Sequence, residues 1–339
     1  MTKADNAPGQ QMAAEIAQSP AVFSRGVVLD HWAALAALDL GRVRAFYTIA
    51  RGSSDAAANI ISYEVMREFG RPMTSLPPSI FSLGRGVDMS GAAALVISQS
   101  GASDDLVRSA RGIRAAGGAV VAITNQPGSA VEAVAQVTLA IGAGAELAVP
   151  ATKTVIGSIA AGMAFIAALV PSYAAKVTQS ADVFANMEMA AHPKAVDLCA
   201  ALLCAQHVYV IGRDTGFGAA HEVALKLKEC CALHAEAYSS SEVLHGPLQL
   251  VTKPLMVLIL DTETADTKDS LDLAEARFRA GGGTVHRVRP SDVGAARLTP
   301  AAKAALLLYL IYPIIMAASV ALGHDPDRPA TLSKVTQTR

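Results

Sequence analysis

Short apolar runs alternate along this chain with longer stretches in which apolar residues recur at helical spacing. In the first half the runs are VRAFYTIA, AAALVISQ, GAVVAITN and VTLAIGAG, beginning at residues 43, 92, 118 and 137. Each is short, rich in Val, Ile, Leu and Ala, and bounded by small polar residues, which predicts strands buried on both faces. Amphipathic stretches such as Ser103–Ala116 separate them, so the expected architecture is a parallel sheet covered by helices on both sides. Two further stretches are apolar all round: Ala304–Gly323, without a charge for twenty residues, and Thr154–Pro171. The first meets the length rule for a membrane span. Pro313 interrupts it, neither stretch has a lysine or arginine asymmetry at its flanks, and both lie among strand and helix patterns. They are expected as helices buried by protein, between domains or subunits.

The pattern also repeats. RAAGGAVV from Arg114 returns as RAGGGTVH from Arg279, an offset of 165 residues, and FYTI from Phe46 returns as VYVI from Val208, an offset of 162. An offset kept over most of the chain predicts a duplicated unit, hence two α/β domains in the 339 residues. We place a helical lead-in at 1–30, a first domain at 31–180, a second at 190–325 and a tail at 326–339.

Composition narrows the function classes. The chain is 52% hydrophobic and 17% charged with a formal net charge of −1, and it lacks the basic stripe that nucleic-acid binding would need. The opening MTKADNAPGQQMAAEIAQSP has no signal-peptide core. Cys199, Cys204, Cys230 and Cys231 form no C-x-x-C pair and are expected as reduced, mostly buried thiols of a cytoplasmic protein. The eight histidines show no paired ligand spacing, so no metal and no cofactor is expected.

Candidate chemistry collects at strand ends. ISQSGASDD (97–105) and ARGSSD (50–55) follow two of the strands; in open α/β sheets ligands bind beyond the carboxyl ends, and hydroxyls and amides at a helix start suit an anion. Neither is a nucleotide fingerprint. In the second half a helix from about Gly218 to Leu233 puts Glu222, Lys226 and Glu229 on one face, just ahead of Glu242, His245, Gly246 and Pro247. A carboxylate, a lysine and a histidine in one cleft suit proton transfers.

RGSSD, SQSGASDD, AITNQPGS (122–129), VPATKT (149–154), ALKLKE with HAEAY, EVLHGP and the closing LSKVT (332–336) together resemble the sugar isomerase (SIS) family. The match runs from about residue 45 to the end and is most similar to the isomerase half of glucosamine-6-phosphate synthase and to the related amino-sugar-phosphate deaminases. The resemblance implies two tandem three-layer α/β/α SIS domains with parallel sheets. By it Ser98, Gln99, Ser100 and Ser103 hold a sugar phosphate, while Gly52, Ser53, Ser54 and the backbone of Val149 and Ala151 line the sugar. Glu229 is implied to shuttle a proton between C1 and C2. His245 is implied to open the ring, reaching in from a neighbouring subunit of a homodimer. Lys334 is implied to engage the open-chain carbonyl, with Glu222 and Lys226 in support.

The chain departs from the family pattern at RGSS, at Ala151 (a serine in relatives), at GRDTG, and at LDTET (260–264), which replaces the second-half counterpart of SQSG. One phosphate site per chain is therefore expected, in the first half. No cysteine precedes Cys199, so the synthase's glutaminase nucleophile has no counterpart. The resulting expectation is a glucosamine-6-phosphate deaminase. The alternatives are a phosphosugar isomerase or fructosamine-6-phosphate deglycase of the same family and, in another class, a non-catalytic sugar-phosphate sensor.

Overall fold

The computed structural model describes residues 7–28, 32–187 and 192–334. Residues 1–6 and 29–30 of the expected lead-in, and Val335 and Thr336 of LSKVT, lie outside them. Three helices open the chain: α1 (Gln10–Ala17), α2 (Ser19–Gly26) and α3 (Trp32–Ala37). The first half continues β1 (Ala45–Ile49), α4 (Ser53–Phe69), β2 (Met73–Ser75), α5 (Ser79–Ser82), β3 (Ala92–Ser98), α6 (Asp104–Ala115), β4 (Ala119–Thr124) and β5 (Val137–Ala140). It closes with α7 (Lys153–Leu169) and α8 (Pro171–Ala185). The second half runs α9 (Ala195–Cys204), β6 (His207–Gly212), α10 (Thr215–Cys231), β7 (His234–Ser239), β8 (Met256–Leu260), α11 (Lys268–Ala280), β9 (Thr284–Val288) and α12 (Pro300–Ala321).

Every strand pair is parallel. The sheet orders are β2-β1-β3-β4-β5 and β7-β6-β8-β9, so the second sheet repeats the first without its last strand. This is the doubly wound order in which the chain reverses direction beside the central strands and leaves a crevice at their carboxyl ends.

The period of two along each strand divides the core. Ala93, Leu95 and Ile97 of β3 face one cluster, with Ala94 and Val96 facing another that α6 caps through Leu106, Val107, Ala110 and Ile113. In β8, Val257 and Ile259 face α11, whereas Leu258 and Leu260 join Leu95 and Ile97 in the common cluster. That shared core is filled by α4, α7, α10 and α12, which pack on one another between the two sheets. Each half is thus a helix–sheet–helix sandwich, and the inner helices of the two meet.

The two apolar helices serve this middle layer. Residues 153–167 of α7 are all buried. Among the described residues α12 alone is long and apolar enough to cross a membrane, but 72% of its most apolar window is buried within the protein. A helix with no polar face has to be surrounded, and α7, α9, α10, α4 and α1 surround it.

Two expectations need correction. The helix placed at Gly218–Leu233 starts earlier and ends earlier, at Thr215–Cys231. Asp214 accepts a hydrogen bond from the Thr215 amide at 2.6 Å, and Ala232 turns left-handed with φ 51°. The four cysteines are free, but only Cys230 and Cys231 are buried; Cys199 is half-buried and Cys204 exposed, because α9 lies at the outside of the second half.

Candidate active site

The second-half helix supplies a buried charge cluster. Lys226 Nζ lies 3.1 Å from Glu222 Oε1 and 2.7 Å from Glu229 Oε2, and it donates to Ser53 Oγ at 2.8 Å. Glu222 and Lys226 have no exposed side-chain surface, while Glu229 keeps 24% of its own. The spacing of four and three residues that puts them on one face thus points into the junction with α4, not into solvent. Tyr312 on α12 donates to Glu222 Oε1 at 3.2 Å, and Glu222 Oε2 is buried without a partner. Burial raises the Glu222 carboxyl to about 7, with the Lys226 charge opposing it. Burial works against the Lys226 ammonium, but the two carboxylates outweigh it and hold the ammonium above its usual value. One proton-accepting group is therefore tuned near neutrality beside a carboxylate that reaches the surface.

The first half supplies polar turns to the same junction. Ser53 opens α4, with Gly52 before it at φ 54° and ψ −129°, a backbone that favours glycine. Ser54 follows, half-buried. Ser98 ends β3 and its hydroxyl accepts from the Gly101 amide at 3.1 Å, as Ser100 accepts from Ala102 at 3.3 Å. The Gln99 carbonyl accepts from the Asn125 amide at 3.2 Å. Gly101 is required: its φ is 59°, and a Cβ there would lie 2.2 Å from Ser129 Oγ. Ser103 stands at the N-cap of α6 without using its hydroxyl as a cap, which leaves that hydroxyl for a ligand.

Lys334 does not touch the α10 cluster directly. It donates to the Ala148 carbonyl at 2.7 Å and to Glu146 Oε2 at 3.3 Å. Buried Glu146 also accepts from the amides of Thr152 and Thr154 and from Thr154 Oγ1, so it folds the loop that carries Val149 and Ala151. The Val149 amide is engaged by the Asp327 carbonyl at 2.9 Å, and the Asp327 carboxylate accepts from the first-turn amides of Gln11 and Met12 in α1. The tail is thereby tied to both the first helix and the loop of Val149 and Ala151. The Glu146 charge also bears on Tyr312, the partner of Glu222. His245 ends a 3-10 turn after β7, exposed; among the described residues no hydrogen bond joins it to Glu229 or Lys226.

Three features of this site escaped sequence reasoning. Glu146 was the only acid in the apolar stretch IGAGAELAVPA, a signal that could have been used. Tyr312 lay hidden in an apolar helix. Arg51, inside the quoted RGSSD turn, binds fully buried Asp105 of α6 through Nε at 2.8 Å and a terminal nitrogen at 2.6 Å. It stitches the turn after β1 to the helix after the serine loop and places a guanidinium beside that loop. Among the described residues no three His, Cys, Asp or Glu side chains converge as metal ligands.

With strand order, duplicated halves and this junction in view, comparison with known proteins is direct. The SIS domain model matches residues 40–168 and 201–286, and the chain belongs to the SIS domain family. It is 31% identical over 264 residues to the glutamine–fructose-6-phosphate aminotransferase (isomerizing) of Aeropyrum pernix, a match covering 71% of this chain and 42% of that protein. The chain thus spans less than half of that relative. A candidate phosphosugar isomerase from Silicibacter pomeroyi DSS-3 superposes with a TM-score of 0.81 at 30% identity, covering 93% of this chain and 99% of that one. Glucosamine-6-phosphate deaminase from Thermotoga maritima shares the fold, with a TM-score of 0.73 at 19% identity over 97% of this chain and all of that one.

Proposed function

We propose that this protein is a phosphosugar isomerase of the deaminating kind, converting glucosamine 6-phosphate and water into fructose 6-phosphate and ammonia. The observation that carries the reading is the Glu229–Lys226–Glu222 cluster bonded through Lys226 to Ser53, which joins an acid–base helix of one half to the polar strand ends of the other.

In the proposed sequence the phosphate rests among Ser98, Gln99, Ser100 and Ser103, where hydroxyls, amides and the start of α6 meet a dianion. His245, contributed by the second subunit of a homodimer, moves the proton that opens the pyranose; its exposure in its own chain supports that role. Glu229 then takes the C2 proton, leaving an enaminol, and returns a proton to C1, giving the ketose imine. Water adds at C2, the C–N bond breaks and ammonia leaves. The Lys226 ammonium holds the Glu229 carboxylate and lowers the energy of negative charge developing on substrate oxygen. Lys334 leaves Glu146 to engage the open-chain carbonyl. The substrate carbonyl stabilises the carbanion, so the chain's own groups suffice without a cofactor. The setting we propose is cytoplasmic, with no membrane or nucleic-acid partner.

The test is ammonia release and ketose phosphate formation from glucosamine 6-phosphate, run beside galactosamine 6-phosphate. Turnover that falls by about 100-fold or more in Glu229→Gln, the range of a lost general base, supports the reading. Aldose–ketose interconversion without ammonia would replace it with plain isomerisation, and activity only on fructosamine 6-phosphates with a deglycase. Binding without any turnover would make the chain a sensor.

A further inference from the structure

The turn after β6 repeats the turn after β1 almost angle for angle. Asp214, 162 residues beyond Gly52, has φ 57° and ψ −134°; a non-glycine residue held there costs on the order of 1–3 kcal/mol. Each turn carries an arginine just before this residue, Arg51 in the first half and Arg213 in the second. The two arginines keep different company. Arg51 is met by the buried carboxylate of Asp105. Half-buried Arg213 donates to hydroxyls alone: to Ser239 Oγ at 2.8 Å and to Ser241 Oγ.

Among the described residues no carboxylate forms an ion pair with Arg213. The acids next to Arg213 and Ser241 in the chain are occupied or exposed. Asp214 pairs with Arg67 and caps α10 through the Thr215 amide. Glu242, which like Arg213 acts electrostatically on Tyr63, is exposed. Ser240, between the two serine partners, is fully buried and shares a hydrogen bond with Ser270 Oγ at 2.7 Å, which anchors the Ser239–Ser241 turn.

A half-buried guanidinium held by hydroxyls alone keeps its charge available to an arriving anion. The hydroxyls of Ser239 and Ser241 stand with it at the carboxyl ends of β6 and β7, where sheets of this order bind ligands. A carboxylate would be satisfied by the fork of an arginine alone, whereas flanking hydroxyls add donors for the further oxygens of a tetrahedral anion. We propose that Arg213, Ser239 and Ser241 form a second anion site, for the phosphoryl group of a phosphomonoester or free phosphate, distinct from the Ser98–Ser103 cradle. The site rests on second-half residues alone and stands whether or not the chain deaminates. It would add a second site to the one expected in the first half, and it offers a phosphorylated effector a place on residues other than Glu229.

Calorimetric titration of the full chain with inorganic phosphate, and separately with glucosamine 6-phosphate, tests this. Wild type takes up two phosphates per chain. Arg213→Gln takes up one, with affinity at the other lowered at least about tenfold, the loss expected for a charge-assisted hydrogen bond. Arg213→Lys keeps the charge and stays within about tenfold of wild type, and Ser239→Ala/Ser241→Ala weakens the site with the arginine intact; these two hold the test open should Arg213→Gln fold poorly. Two sugar phosphates per chain identify a phosphomonoester site, and one sugar phosphate with two phosphates a free-phosphate site. A single phosphate in wild type that Ser98→Ala/Ser100→Ala removes, or phosphate uptake unaffected by both Arg213→Gln and the serine pair, overturns the proposal. Ser98→Ala/Ser100→Ala removes the other phosphate; if it removes none, the first-half cradle fails and not this site.

Discussion

At the carboxyl end of β3 the chain turns through Ser98–Ser103 with its hydroxyls bonded only to local amides and its bend made possible by Gly101. At the equivalent end of β8 the space is already taken. Asp261 there receives Arg287 at 2.8 and 3.0 Å and Arg289 at 3.3 Å, as well as the Glu263 amide at 2.7 Å. Arg287, 7% exposed, also pairs with Asp272 and Glu275, and their carboxylates hold it above its usual value against the cost of burial. One strand end is left open to an anion from outside, and the other carries its own. Duplication preserved the strand order and even the backbone angles of Gly52 and Asp214, while substitution divided the labour. The first half keeps an open serine turn, and the second provides the helix that carries Glu222, Lys226 and Glu229.

Breaking the closed end has the largest expected effect on stability. Asp261→Ala strips Arg287 and Arg289 of a shared partner and destabilises the protein by about 3 kcal/mol, the lower end for breaking a buried pair because Arg287 keeps two other acids. Chemical denaturation measures this, and phosphate binding at Ser98–Ser103 stays unchanged. A similar magnitude attaches to the junction of the halves. The Glu222 carboxyl lies at 4.5 unfolded and at about 7 folded, so its contribution to stability is fully present below pH 4.5 and is lost as pH rises through about 7. Relative to Glu222→Gln, wild type loses on the order of 3 kcal/mol across that window; parallel pH curves for the two proteins would remove the assignment. Gly101→Ala acts on the open end. Its left-handed φ alone costs about 1–2 kcal/mol, and the contact with Ser129 displaces the loop. The expected result is a modest fall in melting temperature with at least about a tenfold loss of phosphate affinity, the reverse of the Asp261→Ala pattern.

Much of this division was legible in the chain. Apolar runs bounded by small polar residues marked β1, β3, β4 and β5, because strands covered on both faces need no polar alternation. LDTET in place of SQSG already pointed to unlike strand ends. The face shared by Glu222, Lys226 and Glu229 followed from helical spacing, but its burial did not, since spacing says nothing about which neighbour covers a face. β2 is three residues long and leaves no periodic trace. The Arg51–Asp105 pair joins residues 54 positions apart and the Lys334–Glu146 contact 188, distances at which only the folded sheet order brings groups together. His245 was marked by its motif, whereas its exposure, with no hydrogen bond to Glu229 among the described residues, is a tertiary fact.

In the proposed reaction Glu229 moves a proton between C1 and C2 of a sugar phosphate held by the first half. Incubating the protein with fructose 6-phosphate in deuterated water and following the C1 protons by NMR tests it directly, independently of ammonia. Wild type is expected to place deuterium at C1, with exchange slowed about 100-fold or more in Glu229→Gln and phosphate affinity retained. Exchange in Glu229→Gln at the wild-type rate would contradict it.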